Sequence, residues 1–239
     1  HGLQLQVRRR HAQGFGGQLS YTLGKAMDDD SDVQLSRFAT DARNFALDWG
    51  AADFDVRHRV VANWLWELPF FNRATGVTRS LLGGWQINGI VQYQTGYPFN
   101  VYTSAPYPNG DFNGDGVMND RPNLPSYGVN PPSTSNEAYI SGFIKAADFP
   151  RPQRMPGNLP RNAYRGPRYT TTDLSLFKSF ALSRWQDARI QLRVEAFNVF
   201  NTVNLRLPGF NGDLNSGLFA RATSTFPARE VQFALKVIY

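Results

Sequence analysis

The chain has no cysteine among its 239 residues, which excludes disulfide frameworks and cysteine-ligated zinc or iron–sulfur centres. It also lacks long apolar runs. The longest, such as Val60-Val61-Ala62, are a few residues, whereas a membrane-crossing helix needs about 20, so no transmembrane helix is expected. No apolar segment of the secretory type follows Arg8-Arg9-Arg10. The first residue is His1 rather than Met, which we read as a mature, trimmed or partial chain. Charge is scarce, with Asp, Glu, Lys and Arg at 18% against about 25% in soluble domains. Of 25 basic residues only Lys25, Lys145, Lys178 and Lys236 are lysines. The net charge of +6 is spread along the chain, apart from Arg8-Arg9-Arg10-His11 at a strand end, so no nucleic-acid partner is expected. His1, His11 and His58 have no metal-ligand spacing. No G-x-S-x-G, P-loop or dinucleotide fingerprint occurs, and Gly14-Phe15-Gly16-Gly17 sits at a hairpin rather than before a helix. Enzymatic function is not expected.

Aromatics, glycine and proline are plentiful. Phe, Tyr and Trp make up 14%, and there are 21 glycines and 15 prolines, a turn-rich composition that argues against intrinsic disorder. The dominant period is two, the signature of strands. Leu3, Leu5 and Val7 alternate with Gln4, Gln6 and Arg8. After a turn at 11–14, Phe15, Leu19, Tyr21 and Leu23 alternate with Gln18, Ser20 and Thr22. Val60, Ala62, Trp64, Trp66 and Leu68 oppose Arg59, Val61, Asn63, Leu65 and Glu67. Trp85, Ile87, Gly89, Val91 and Tyr93 oppose Gln86, Asn88, Ile90, Gln92 and Gln94. A shorter run sets Leu174 and Leu176 against Asp173 and Ser175. Ile190, Leu192, Val194 and Ala196 oppose Gln191, Arg193 and Glu195. Finally, Val231, Phe233, Leu235, Val237 and Tyr239 oppose Glu230, Gln232 and Lys236.

These are about seven long strands with one apolar face, the requirement for a tilted bilayer-crossing strand of roughly 9–11 residues. The connections alternate. Those at 11–14, 69–82 and 181–188 are short or moderate, and those at about 25–53, 103–168 and 202–227 are long. Short periplasmic turns and long extracellular loops are the pattern of outer-membrane barrels, whereas structureless loops above about 15 residues are uncommon in compact soluble domains. The expected fold is therefore all-β, an antiparallel up-and-down transmembrane β-barrel segment across 1–239. Trp64, Trp66, Phe70, Phe71 and Trp85 flank one short connection, and Phe180 and Trp185 another, as in an interfacial aromatic girdle. The final alternation Phe233, Leu235, Val237, Tyr239 reads as the signal recognised by the barrel assembly machinery, since an apolar terminal strand can pair with another sheet edge. In a soluble protein such an edge invites aggregation.

Several motifs, in order along essentially the whole chain, resemble the TonB-dependent receptors of the Oar-like, carboxypeptidase-regulatory-domain type. They are Asp55-Val56-Arg57-His58-Arg59-Val60 with Glu67-Leu68-Pro69-Phe70; Gly83-Gly84-Trp85-Gln86 leading to Gln94-Thr95-Gly96-Tyr97-Pro98-Phe99; Asp111 to Pro122; Thr172-Asp173-Leu174-Ser175-Leu176-Phe177-Lys178; and Glu195-Ala196-Phe197-Asn198-Val199-Phe200-Asn201. The resemblance implies a plugged barrel of about twenty-two strands, of which these would be the last seven, in the outer membrane of a Gram-negative cell. It implies TonB-energised uptake of a large nutrient such as a siderophore, saccharide or peptide, with a plug domain and a TonB box that this chain does not contain. It also makes Arg59, Asn63, Glu67, Gln92, Asp173, Arg193 and Glu195 lumen groups that hydrogen-bond the plug. Seven strands at the circumference of such a barrel cannot close, so an open, curved sheet or a strained small barrel is expected.

One segment invites a cofactor. Asp111-Phe112-Asn113-Gly114-Asp115-Gly116-Val117-Met118-Asn119-Asp120 reads D-x-N-x-D-G-x-x-x-D. Calcium takes six to eight oxygens, which side chains of Asp111, Asn113, Asp115 and Asp120 and the Val117 carbonyl could supply. The twelfth position is Pro122, so this is not an EF-hand. Bound calcium would order a 66-residue loop that otherwise has little to fix it. A second acidic cluster, Asp28-Asp29-Asp30-Ser31-Asp32, reads mainly as a solvated loop tip. Two other readings stay open: a small structural or adhesive outer-membrane barrel, and a soluble calcium-dependent β-sandwich in which Tyr102, Tyr107 and Tyr127 stack sugars.

Overall fold

The computed structural model describes residues 1–31, 39–41, 43–181 and 188–239. Seven long strands dominate it: β1 (Gly2–Ala12), β2 (Phe15–Gly24), β3 (His58–Glu67), β4 (Trp85–Gln94), β5 (Tyr169–Ala181), β6 (Arg189–Phe197) and β7 (Glu230–Ile238). Their order in space is their order in the chain, and every neighbouring pair is antiparallel. This is an up-and-down wall. It is not closed, because β1 and β7 form the two edges of the sheet.

Register explains why the wall works. Val7 pairs with Leu19, Leu19 with Ala62, and Ala62 with Val91. Leu176 pairs with Val194, and Val194 with Phe233. Because side chains alternate with period two, each such row puts apolar groups on one face of all seven strands. That face is open: Val7 is 68% and Phe233 79% exposed. The opposite face carries Gln18, Asn63, Gln92, Ser175, Arg193 and Gln232. Trp64 lies on the apolar face across from Gly89, where an added Cβ would fall 2.1 Å from the indole. Glycine there makes room for the girdle ring.

Two details differ from the sequence expectation. The first hairpin turn is Gln13-Gly14 alone, both at positive φ, with Ala12 pairing Phe15. Such a two-residue turn matches the twist of the flanking strands. The fifth strand, expected to be short, is the longest at 13 residues. Its ends hide the alternation, because Thr170 to Thr172 offer no polarity contrast, while Phe177 lies on the polar face and Lys178 on the apolar one.

The buried core is not on this wall. Phe99, Val101, Tyr139, Phe143, Phe149 and Tyr164 form its centre with Leu205, Leu214 and Phe219, and none belongs to a long strand. The long connections carry short ladders of their own, at Met27–Asp28 with Gly50–Ala51, Pro98–Phe99 with Tyr164–Arg165, and Leu205–Arg206 with Ser224–Thr225. On the other side of the wall the 68–84 turn holds one short helix, α1 (Gly76–Leu82).

The wall predicts an asymmetric response to charge. Leu192→Arg, near the middle of β6 on the apolar face, should cost about 2–4 kcal/mol of folding free energy in lipid vesicles, whereas Gln191→Arg should cost under about 1 kcal/mol. Denaturant titration in vesicles measures both, and equal costs would contradict the assignment of faces.

Candidate functional site

The long loops form one extracellular cap, and arginine holds it together. Arg121 is buried. Its Nη1 donates to Asp48 Oδ1 at 2.7 Å and to Thr40 Oγ1 at 2.9 Å, its Nε to the Leu159 carbonyl at 3.0 Å, and its Nη2 to the Leu47 carbonyl at 2.5 Å. Arg161 donates to Asp28 Oδ1 at 2.6 Å, to Ser31 Oγ at 2.7 Å and to Asp53 Oδ1 at 3.3 Å. Arg165 pairs with Asp55, whose other oxygen accepts the Ala26 amide at 2.7 Å. Each arginine comes from the second long loop and each carboxylate from the first. A planar guanidinium with five donors suits such multidentate clamping. The third loop joins through backbone bonds, Tyr102 amide to Gly212 carbonyl at 3.0 Å and Leu214 amide to Tyr102 carbonyl at 2.9 Å. Ser104 adds a side-chain bond to Asp213.

The 103–168 loop is therefore fixed by its own aromatic core and these clamps, and the expectation that little else holds it is corrected. The aspartate cluster is corrected at one member, while Asp29 and Asp30 are exposed as a solvated loop tip would be. Asp28 is an ion-pair partner that ties two loops together. Asp32 and the girdle candidate Trp185 lie outside the described residues.

The D-x-N-x-D-G segment is a self-capped turn. Asp111 Oδ1 accepts the amides of Gly114 at 2.8 Å and Asp115 at 3.1 Å, and its Oδ2 accepts Gly116 at 2.9 Å. Asn113 Oδ1 accepts the Asp115 amide, and Asp115 Oδ1 that of Val117. Gly114 and Gly116 adopt positive φ, which their lack of a Cβ permits. Asp120 is fully buried. One oxygen accepts the Asn113 amide at 2.9 Å, and among the described residues the other has no hydrogen-bond partner. Among the described residues no three His, Cys, Asp or Glu side chains are grouped to hold a metal ion.

Cavities open in the cap among the described residues. One of about 770 Å³ is lined by Asp29, Phe45, Tyr102, Met118, Arg121 and Arg161. Another, about 380 Å³, is lined mainly by Tyr97, Phe99, Tyr169, Leu207 and Phe226. Of the three tyrosines proposed for sugar stacking, Tyr102 lines the larger cavity, Tyr107 carries the Arg154 guanidinium over its ring at 5.4 Å, and Tyr127 packs on Phe149.

The lumen candidates Arg59, Asn63, Glu67, Gln92, Asp173, Arg193 and Glu195 share the polar face, and several are engaged within the wall. Glu67 takes Gln86 Nε2 at 3.3 Å and His11 at 3.4 Å. Glu195 takes Gln232 at 2.5 Å, and Arg193 donates to Gln191 at 2.7 Å. Asp173 accepts the Asn198 amide at 2.8 Å, which pins the start of the third loop. Phe233, Leu235 and Val237 lie on the apolar face of the edge strand β7, and Tyr239 follows it.

An open antiparallel wall with an apolar outer face, a polar inner face and loops massed on one side is an outer-membrane β-barrel architecture. The chain matches the family model of the outer membrane beta barrel domain over residues 1–232 and belongs to that family, which places it in the outer membrane. Comparison with curated proteins returned no match.

The arginine clamps were missed in the sequence because the composition of the loops, acidic in the first and basic in the second, does not say which residues pair. Arg121 did sit inside a quoted motif, next to the aspartate of the D-x-N-x-D-G segment. Removing it strands a buried carboxylate, so Arg121→Ala should cost the cap about 3–5 kcal/mol. Proteolysis should speed up within the loops while the strands stay protected. Unchanged loop cleavage would contradict the clamp.

Acidity acts on the cap with two signs. Burial alone would raise the Asp48 carboxyl, but hydrogen bonds from Thr40 and Arg121 outweigh it and hold it below its ordinary value. Asp55, bonded to Ala26 and Arg165, behaves the same way. Their stabilisation is present above the ordinary carboxylate range and is lost as pH falls through their lowered values. Burial pushes Asp120 up to about 6, with Asp115 and Asp111 adding like charge. Its contribution is complete below about pH 4 and is lost as pH rises through about 6. Exchange protection of the Asn113 amide, corrected for intrinsic rates, should therefore fall by on the order of 2 kcal/mol between pH 4 and 7. Asp120→Asn should abolish that slope, and a slope that persists would contradict the assignment.

Proposed function

We propose that the chain forms wall and ligand-gathering loops of a TonB-dependent active transporter for a large nutrient such as a siderophore, saccharide or peptide. The observation that carries the reading is a seven-stranded wall with two unpaired edges, a polar inner face and an ordered three-loop cap. Such edges call for further strands, because unpaired backbone groups are costly in hydrocarbon. A wall wide enough for a plug requires many strands. The ordered motifs resembling Oar-like receptors supply the TonB link. In this reading Arg59, Asn63 and Gln92 face a plug domain, β7 is read by the barrel assembly machinery, and the TonB complex acts through a part outside this chain. No covalent catalysis is assigned to it. A soluble sandwich would need a second sheet to cover the apolar face, and a small closed barrel would need β1 to pair with β7.

The test is genetic. Cells lacking the intact gene should lose growth on one siderophore, saccharide or peptide source, and cells lacking TonB should lose the same growth. Uptake that persists without TonB would overturn the proposal.

A second reading is calcium at the D-x-N-x-D-G turn, favoured by the buried Asp120 oxygen that has no partner among the described residues, with the like charge of Asp115 and Asp111 acting on it though the three are not grouped as a ready ligand set. A cation there would offset their like charge, with Asp111 exchanging amide contacts for the ion. Calorimetric titration should give heat with sub-millimolar affinity, and no heat at millimolar calcium would sink the reading.

A further inference from the structure

The 68–84 turn carries an apolar surface that stays largely exposed beside the wall. Phe70, Phe71, Val77, Leu81 and Leu82 are all exposed, Val77 to 73%. Three contacts fix where this surface lies. Trp85, on the outward apolar face, donates its indole N–H to the Leu81 carbonyl at 3.1 Å. Lys178, also outward, donates to the Gly83 carbonyl while its ammonium sits over the Trp85 and Phe180 rings. Phe70 packs edge-on against outward-facing Trp66, with ring centroids 6.4 Å apart. The turn is thus folded against the lipid side of the wall, at its periplasmic end, and α1 lies there rather than beneath the lumen.

Its chemistry is two-sided. Val77 and Leu81 are four apart and share one side of α1, while Arg79 lies on the other. The turn from 68 to 84 contains Arg73 and Arg79 and no carboxylate. The nearest acid, Glu67, is on the inner face and bonded to Gln86. Apolar groups continuous with the lipid stripe, next to two cations with no carboxylate in the turn itself, match the interface of a bilayer with anionic headgroups.

We propose that the 68–84 turn is an interfacial anchor that binds anionic phospholipid of the inner leaflet. Val77, Leu81, Phe70 and Phe71 enter the acyl boundary, and Arg73 and Arg79 meet the phosphates. Lys178 positions the turn by capping Gly83. The inference rests on the outer-membrane barrel and not on the TonB reading.

The test uses the intact protein in vesicles. The chain has no cysteine, so a bimane placed by Val77→Cys or Leu192→Cys reports one site of it. With Leu192→Cys quenched by brominated acyl chains, the wall is inserted. Val77→Cys should then be quenched several-fold more by brominated chains than by aqueous iodide. Iodide quenching at Val77→Cys with Leu192→Cys in lipid would overturn the anchor and leave the barrel intact. Protection from both quenchers would mean a protein covers the turn and would also overturn it. Vesicles mixing phosphatidylcholine with phosphatidylglycerol test the headgroup. The double variant R73Q/R79Q should retain several-fold less phosphatidylglycerol per protein in native mass spectrometry, and unchanged retention would overturn the headgroup assignment.

Discussion

Hydrocarbon offers no hydrogen-bonding partner, so every backbone amide crossing it must be satisfied by a neighbouring strand. The rest of the structure depends on that constraint. It fixes an antiparallel register, and because side chains alternate, the register decides which residues meet lipid. A slip of one residue would turn Leu192 inward and Arg193 outward. The ladder from Val7 through Leu19, Ala62 and Val91 shows the register held across four strands. The same constraint gives the two unpaired edges their meaning, since a wall in lipid must continue.

Division of labour follows. The strands contribute almost nothing to a conventional buried core, because their apolar face is matched to lipid rather than to protein. The cap must therefore stabilise itself. It does so with an aromatic cluster around Phe143, Phe149 and Tyr164, and with three guanidiniums reaching from one loop to another. The Arg121–Asp48 pair is the buried one of the three, and breaking it would leave a buried charge without a partner. The opposing titration of Asp48 and Asp120 marks the difference between a carboxylate given its partners and one left short of them.

The wall could be read from the sequence wherever polarity contrast was strong. Ile190 to Ala196 alternate cleanly, and Val60 to Glu67 do so apart from Val61 and Leu65, so their strands and faces were evident. The fifth strand was cut short in that reading because threonines and the inverted Phe177–Lys178 pair blur the contrast. The cap could not be read, because its core joins Phe99, Tyr164 and Phe219, residues far apart in sequence with no periodicity between them. The acidic segments were visible as composition, but Asp28 became a clamp only once Arg161 was placed beside it. Arg59, Asn63, Glu67, Gln92, Asp173, Arg193 and Glu195 could be placed on one shared face because a face follows from parity alone. Lys178, by contrast, breaks parity, and its role in holding the 68–84 turn needed coordinates.

The central claim is that these strands cross the outer membrane with alternate residues facing lipid. The most direct measurement is a nitroxide scan along β4, one cysteine at a time from Trp85 to Gln94, reading oxygen against aqueous-reagent accessibility in the membrane. The account predicts period two, with positions 87, 89 and 91 in lipid and 86, 88 and 92 in the aqueous lumen. Uniform aqueous accessibility, or a period near 3.6, would contradict it.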